Sequence, residues 1–342
     1  MEIIASLGQR CRTVELLRGL QKVGMTGIRL NLAHCEISDY KDVLTWGVQT
    51  GMKIVFDLEG ENFRVGNILR EFRLKAKDKA FLCLERDYEE LSKRSSRFND
   101  EDIKIDDGLD GYIPVKSLKD LNQLYEGEKC YISKNNIALL MVKRHLDYME
   151  CEVISSGGVV RTGRSINFPK VDRNNKLQEK DKKNLDLIKF LDDCVVVHAL
   201  SEMQDEILEV REYISNKKIK VFSKIKTLGG LKNWKLLYDV SDGMVLDRND
   251  LSSDVGFWAF PKYQGRLISA LKNAGNEFWA TGGLLDSQNY ISGDLPSLSE
   301  LSEIVNLMKN GASGFILTET ANSERPKRVV KTISLIHEKV FQ

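Results

Sequence analysis

Residues Gly24–His34 read GMTGIRLNLAH, an apolar run that closes on Arg29, Asn31 and His34, three polar groups where a buried strand should be ending. A basic residue at the end of a strand becomes an anion-binding device when it points into a cleft. Outward from this stretch, Met1–Leu7 is a short apolar strand followed by a glycine-containing turn. Thr13–Val23 carries Val14, Leu16, Leu17, Leu20 and Val23 at helical period, opened by Thr13 with Glu15 in the first turn. Met25–Leu32 is the second strand, Ser38 is expected to cap a helix through Gln49, and Lys53–Asp57 is the third strand. Short connections in the order β-α-β-α-β predict a parallel sheet.

The rhythm breaks after Gly60. From Glu61 to about Ile166 the chain turns to short alternating segments, YISKNNIALLMVK and CEVISSG among them, which suit an inserted, mostly antiparallel domain. The parallel rhythm resumes near Leu177. The expected helices Lys180–Leu191, Met203–Ile214, Leu228–Leu237, Tyr263–Ala274 and Leu298–Asn310 are followed by strands CVVVHAL, KVFSKI, GMVLD, EFWATGG and GFILT, and a last helix covers Pro326–Lys339. With the three early strands this makes eight β/α units, the number that closes a (β/α)8 barrel. The expected division is a barrel of residues 1–60 and 167–342 with a β-rich insertion of residues 61–166 after strand three.

A chain of 342 residues supports one large domain plus an insertion. Its net charge of +1 gives no global field for nucleic acid or an anionic membrane. No apolar run reaches the ~18 residues a membrane span needs. MEIIASLGQR lacks the features of a signal peptide, so the chain reads as cytoplasmic. Its six cysteines include no CxxC pair, which argues for reduced thiols over a disulfide framework or a zinc site. Cys35, beside His34, reads more readily as a packed filler than as a nucleophile. Self-association through barrel helices stays open.

In a closed β/α barrel the chemistry sits at the C-terminal ends of the strands. The polar residues there are Arg29, Asn31 and His34, then Asp57, Lys224, Asp247 and Asp250, Thr281, and finally Thr318 and Glu319. Such a set suits a small anionic, phosphorylated substrate with a divalent cation. The bland alternative is that each group caps its own strand or the next helix.

These segments resemble the pyruvate kinase family over nearly the whole length. ASLGQRCRTVE looks like the family's opening strand and turn, placing Arg12 on its first-loop arginine. GMTGIRLNLAH is similar to GMNVARLNFSH, which implies a phosphate-binding role for Arg29, a potassium-ligand position for Asn31 and a nucleotide-side position for His34. FDLEGENFRVG stands where the family has DTKGPEIRTG, so Asp57 matches a potassium ligand and Arg64 a phosphate-facing arginine at the hinge of a lid. FSKIKTLGG resembles SKIENHEG and puts Lys224 on the catalytic lysine. SDGMVLDRNDLS resembles SDGIMVARGDLG and puts Asp250 on a magnesium-binding aspartate. ATGGLLDS resembles ATQMLESM and puts Thr281 on the threonine beside the substrate's methylene carbon.

The departures from the family pattern are as informative. Lys226 stands where the family has its second magnesium-binding acid. Ala33 and Leu58 replace two potassium-site hydroxyls, Glu59 a lysine, and Asn249 the glycine whose backbone approaches the substrate carboxylate. Ser133 and Lys134 replace an acidic pair of the lid, and the literal DDGL at Asp106–Leu109 falls too early to supply it. The chain stops after the barrel's last helix, where the family continues into a regulatory domain.

The resemblance therefore implies weakened Mg²⁺ binding and loss of the K⁺ site. Lys226 would join Arg29 and Lys224 as substrate-binding charge, while Asp247 either rebuilds a displaced cation site with Asp250 or forms a lysine–aspartate pair. The expected function is a pyruvate kinase-like enzyme acting on phosphoenolpyruvate, a related enol phosphate or a 2-oxo acid, by phosphoryl transfer or enolate stabilisation. The altered lid and cation sites count against ordinary phosphorylation of ADP. Two alternatives stay open: a paralogue that binds an anionic metabolite without turnover, and a carbon–carbon lyase or aldolase working through a pyruvate enolate.

Overall fold

The computed structural model describes residues 1–6, 13–34, 37–97, 111–133, 136–171, 175–275, 277–290, 295–318, 320, 323 and 325–341. Eight described strands, all parallel, close into a barrel: β1 (Glu2–Ser6), β2 (Gly27–Asn31), β3 (Lys53–Asp57), β4 (Cys194–His198), β5 (Lys220–Ile225), β6 (Gly243–Asp247), β7 (Glu277–Thr281) and β8 (Gly314–Leu317). Neighbours follow chain order, and β8 closes on β1 with Ile4 opposite Ile316. The fold is the mixed α/β (β/α)8 barrel expected from the rhythm of the sequence.

Side chains alternate across a strand, so every second residue enters the barrel. Ile4, Val55, Val195, Val197, Phe222, Val245, Trp279 and Ile316 make one buried apolar cluster. Two residues further on in β1, β3, β5, β6 and β7, the same parity gives Ser6, Asp57, Lys224, Asp247 and Thr281. The change from apolar to polar within one inward row marks the C-terminal mouth of the barrel.

Local chemistry sets the helix ends. Thr13 Oγ1 accepts the Leu16 N–H ahead of helix Val14–Gln21, and Ser297 and Glu300 form a capping box on Leu298–Lys309. The helix expected from Ser38 runs Ile37–Thr50, and the Ser38 side chain lies outside the described residues. The expected helix Leu228–Leu237 is two helices, Leu228–Lys232 and Trp234–Val240, broken at Asn233, whose Nδ2 donates to Glu202 O at 2.9 Å. The polar helix Arg248–Val255, directly after β6, escaped the periodicity reading because it shows no clear apolar stripe.

A second compact unit comprises Glu61–Asn174 with Ser253–Phe257. Its main sheet holds seven described strands in the order Ile166–Asn167, Lys129–Ile132, Ile137–Arg144, Tyr148–Val153, Lys79–Leu84, Tyr112–Lys116 and Arg64–Val65. The pairing is antiparallel except between Lys79–Leu84 and Tyr112–Lys116. The unit runs past Ile166 because Ile166–Asn167 pairs with Tyr131–Ile132 inside this sheet. It has its own buried core, with Phe63, Leu82, Ile113, Leu139 and Phe168 among its members. Among the described residues, no helix is long and apolar enough to cross a membrane.

Candidate active site

The mouth of the barrel is organised around Asp57, the last residue of β3, which is 1% exposed. Its Oδ2 accepts Arg29 Nε at 2.8 Å, Arg29 Nη2 at 2.7 Å and Lys224 Nζ at 2.7 Å. Arg29 Nη1 also donates to Ser6 Oγ at 2.8 Å, so β1, β2, β3 and β5 are tied together at one point. Burial works against the Asp57 charge, but Lys224 and Arg29 outweigh it and hold the carboxyl down at about 2. Asp57 Oδ1 is buried and receives no hydrogen bond from the described residues.

Lys224 Nζ also lies 3.8 Å from Asp247 Oδ2, at the end of β6. Burial, and then the neighbouring Asp250, push the Asp247 carboxyl upward against the pull of Lys224 and Lys226. Asp250 stands in the first turn of Arg248–Val255, and its N–H donates to Asp247 Oδ1 at 3.3 Å. Lys226, one residue past the end of β5, is buried, and its Nζ lies 3.6 Å from Asp250 Oδ2. The two lysines therefore take different carboxylates, Lys224 at Asp57 and Asp247, Lys226 at Asp250. Thr281 Oγ1 donates to Ile316 O on β8 at 2.9 Å.

Asn249 packs against the turn after Thr281. A Cβ added to Gly282 would come within 2.9 Å of Asn249 N and 3.0 Å of its Cγ, and Gly282 has φ +85°. Asn31 Oδ1 accepts the Ala33 N–H at 3.2 Å. Behind β3, Asp181 accepts the N–H groups of Glu59 and Gly60, and Lys180 Nζ reaches Glu59 at 2.6 Å and the Ala33 carbonyl at 3.3 Å. Arg64 belongs to the second unit, where its Nη1 donates to Gly163 O at 3.0 Å. Arg12, Lys134, Glu319 and the His34 side chain lie outside the described residues.

Two residues of this region were not singled out from the sequence. His198 ends β4 and is buried, with Nδ1 3.0 Å from Ser201 Oγ, which also accepts the Lys224 N–H at 3.0 Å. Burial, aided by the charge on Lys226, pulls its pKa down to about 4, against a bond to the Asn175 carbonyl and the charge on Asp57. A histidine closing the apolar run CVVVH was the available signal. Arg248 donates to Gln264 Oε1 at 2.9 Å, Gly282 O at 2.8 Å and Glu303 Oε1 at 3.0 Å, and so braces the turn that follows Thr281. Its signal was a lone arginine between two acids in LDRND.

Each carboxylate at this mouth already has a cationic neighbour. Asp57, Asp247 and Asp250 each face a lysine, and the described residues contain no group of three His, Cys, Asp or Glu arranged to hold a metal.

Polar groups gathered at the C-terminal ends of a closed parallel barrel define a (β/α)8 protein with its chemistry at one mouth. The family model for the pyruvate kinase barrel domain matches residues 1–330, and the chain belongs to the pyruvate kinase family. Pyruvate kinase of Clostridium perfringens is 25% identical to it over 359 residues, covering 99% of this chain and 69% of that protein. Pyruvate kinase of Encephalitozoon cuniculi is 25% identical over 96% of this chain and 73% of its own length, and that of Thermococcus litoralis is 24% identical over 98% and 68%.

Proposed function

We propose that the chain is a pyruvate kinase-like enzyme whose barrel mouth holds phosphoenolpyruvate, a related enol phosphate or a 2-oxo acid. The observation that carries this reading is the convergence of Arg29 and Lys224 on one oxygen of Asp57. A carboxylate oxygen that receives three N–H donors marks a point where an incoming phosphate or carboxylate oxygen would meet fixed positive charge. Donors held in place before the reaction cost no reorganisation when charge develops. On this reading Arg29 orients the anion, Lys224 stabilises the charge that develops on it, and the Thr281 hydroxyl faces the reacting carbon. Each charge-assisted bond to the ligand contributes about 1.5–3 kcal/mol.

The test is pyruvate formation from phosphoenolpyruvate with ADP, together with thermal-shift measurements on a panel of enol phosphates and 2-oxo acids. Stabilisation by members of the panel, lost in Lys224→Met, is the expected result. A panel that leaves the melting temperature unchanged would overturn the reading. A second reading, anion binding without turnover, is favoured by the Lys226–Asp250 pair. It predicts stabilisation by the panel with no product formed from any member.

A further inference from the structure

We propose that Lys226 adds, beside Arg29 and Lys224, the positive charge a divalent cation would otherwise bring to this mouth, so that a phosphorylated carboxylic acid binds without one. This rests on the anion-site reading above. Lys226 is the first residue after β5, two residues beyond Lys224. It is 7% exposed, and a buried ammonium is costly unless it is paired.

The pairing at Lys226 is of a different kind from that at Lys224. Lys224 holds Asp57 at 2.7 Å, with both side chains almost fully buried. Lys226 stands 3.6 Å from Asp250 Oδ2, beyond the 2.7–2.9 Å of a tight charge-assisted bond, and the Asp250 side chain is 41% exposed. Of the two contacts, the one at Lys226 is the longer, and Asp250 is the more exposed carboxylate. On this proposal the entering anion displaces Asp250 beside Lys226.

Lys224 lies beside Asp57 and Asp247, and Lys226 beside Asp250. A divalent cation between Asp247 and Asp250 would sit against the Lys226 ammonium. An anion that displaces Asp250 would meet the buried Lys226 ammonium.

The experiment is isothermal titration calorimetry of the full chain with phosphoenolpyruvate, in EDTA and then in Mg²⁺, for wild type, Lys226→Gln and Lys226→Arg. Melting curves and circular dichroism establish that each variant is folded. We expect the wild type to bind in EDTA within about threefold of its affinity in Mg²⁺. Lys226→Gln should weaken binding in EDTA by about ten- to a hundred-fold, the loss of one charge-assisted contact, while Lys226→Arg stays within a few-fold of wild type. Binding by the wild type that appears only with Mg²⁺ would overturn the inference and leave the anion-site reading standing, as would undiminished binding by folded Lys226→Gln in EDTA. The wild-type comparison needs no variant, so a misfolded Lys226→Gln does not shield the inference. Absence of binding with and without Mg²⁺ would overturn the anion-site reading itself.

Discussion

Lys224 and Asp57 lie 167 residues apart in the chain and meet at 2.7 Å across β4, which separates their strands in the barrel. With Arg29 on the same oxygen, the carboxylate is the counter-charge that allows two cations to be buried side by side. Asp57→Asn removes that charge while keeping the shape. Taking one partner from a buried ion pair costs about 3–5 kcal/mol, because the remaining charges are stranded. Urea unfolding should show a loss of that order. A loss below about 1 kcal/mol would mean that the two cations relax into solvent, and that the mouth is looser than its geometry.

His198 gives a pH dependence in a separate window. Its folded pKa is pulled by burial from 6.5 to about 4, so the fold favours the neutral ring. The stabilisation is complete above pH 6.5 and is lost as pH falls from 6.5 toward 4, where the folded protein finally takes up the proton. In His198→Asn this loss should vanish from that interval. Chemical melts of both proteins at pH 7.5, 5.5 and 4.5 measure it, and parallel curves would show that the ring is protonated in the fold.

One glycine has to be glycine for reasons of volume. A Cβ on Gly243, the first residue of β6, would lie 2.4 Å from Cζ of Phe222. That ring cannot withdraw, since it is fully buried against Trp279 with the ring centroids 4.5 Å apart. Gly243→Ala should therefore destabilise by about 1–3 kcal/mol through overpacking. Gly265, within helix Phe260–Ala274, has nothing within 4 Å of such a carbon, and the same change there should stabilise by about 0.4–1 kcal/mol. Equal effects at the two positions would contradict the packing of the barrel interior.

The barrel was legible because its strands are buried on both faces and separated by regular amphipathic helices, so KIVFD, KVFSKI and GMVLD could each be bounded to the residue. The same reading put Asp57, Lys224, Asp247 and Thr281 at the C-terminal ends of their strands. The ion-pair partners were not legible. Nothing in the sequence says that Lys224 chooses Asp57 and Asp247 while Lys226 chooses Asp250, because that depends on where β5 stops and the turn begins. His198 was missed for a related reason: it lies one residue off the inward parity of β4, and the Ser201 hydroxyl links its ring to the Lys224 N–H.

The loops after β2 and β3 bear on monovalent cations. Ala33 and Leu58 contribute no side-chain oxygen there, Leu58 is buried, and the Lys180 ammonium already reaches the Ala33 carbonyl. A bare potassium ion needs several oxygens in place of its water. We therefore expect phosphoenolpyruvate affinity in KCl and NaCl at equal ionic strength to agree within about twofold. Titration calorimetry in the two salts measures this, and strong selectivity for K⁺ would show that other oxygens have rebuilt the site.

The last prediction concerns Arg248 as the brace of the turn after Thr281. Its guanidinium reaches the Gly282 carbonyl, Gln264 and Glu303, and Gln264 Nε2 also donates to Glu303 Oε1 at 2.8 Å. The turn itself carries Gly282 and Gly283 at φ +85° and +64°, conformations that other residues seldom adopt and that need support from outside. Arg248→Lys keeps the charge near Glu303, but a lysine has no planar fork with which to hold three acceptors at once. The contact to Gly282 is the one most exposed to loss, because Glu303 attracts the ammonium. Global stability should fall by about 1–3 kcal/mol, the cost of an unmade buried hydrogen bond. Beyond that, amide hydrogen exchange should accelerate at residues 281–285, while the amides of β3 and β5 stay protected relative to the global stability of the variant. Exchange at 281–285 that merely tracks the global loss would show that the turn holds its own shape, and that Arg248 serves stability without positioning Thr281.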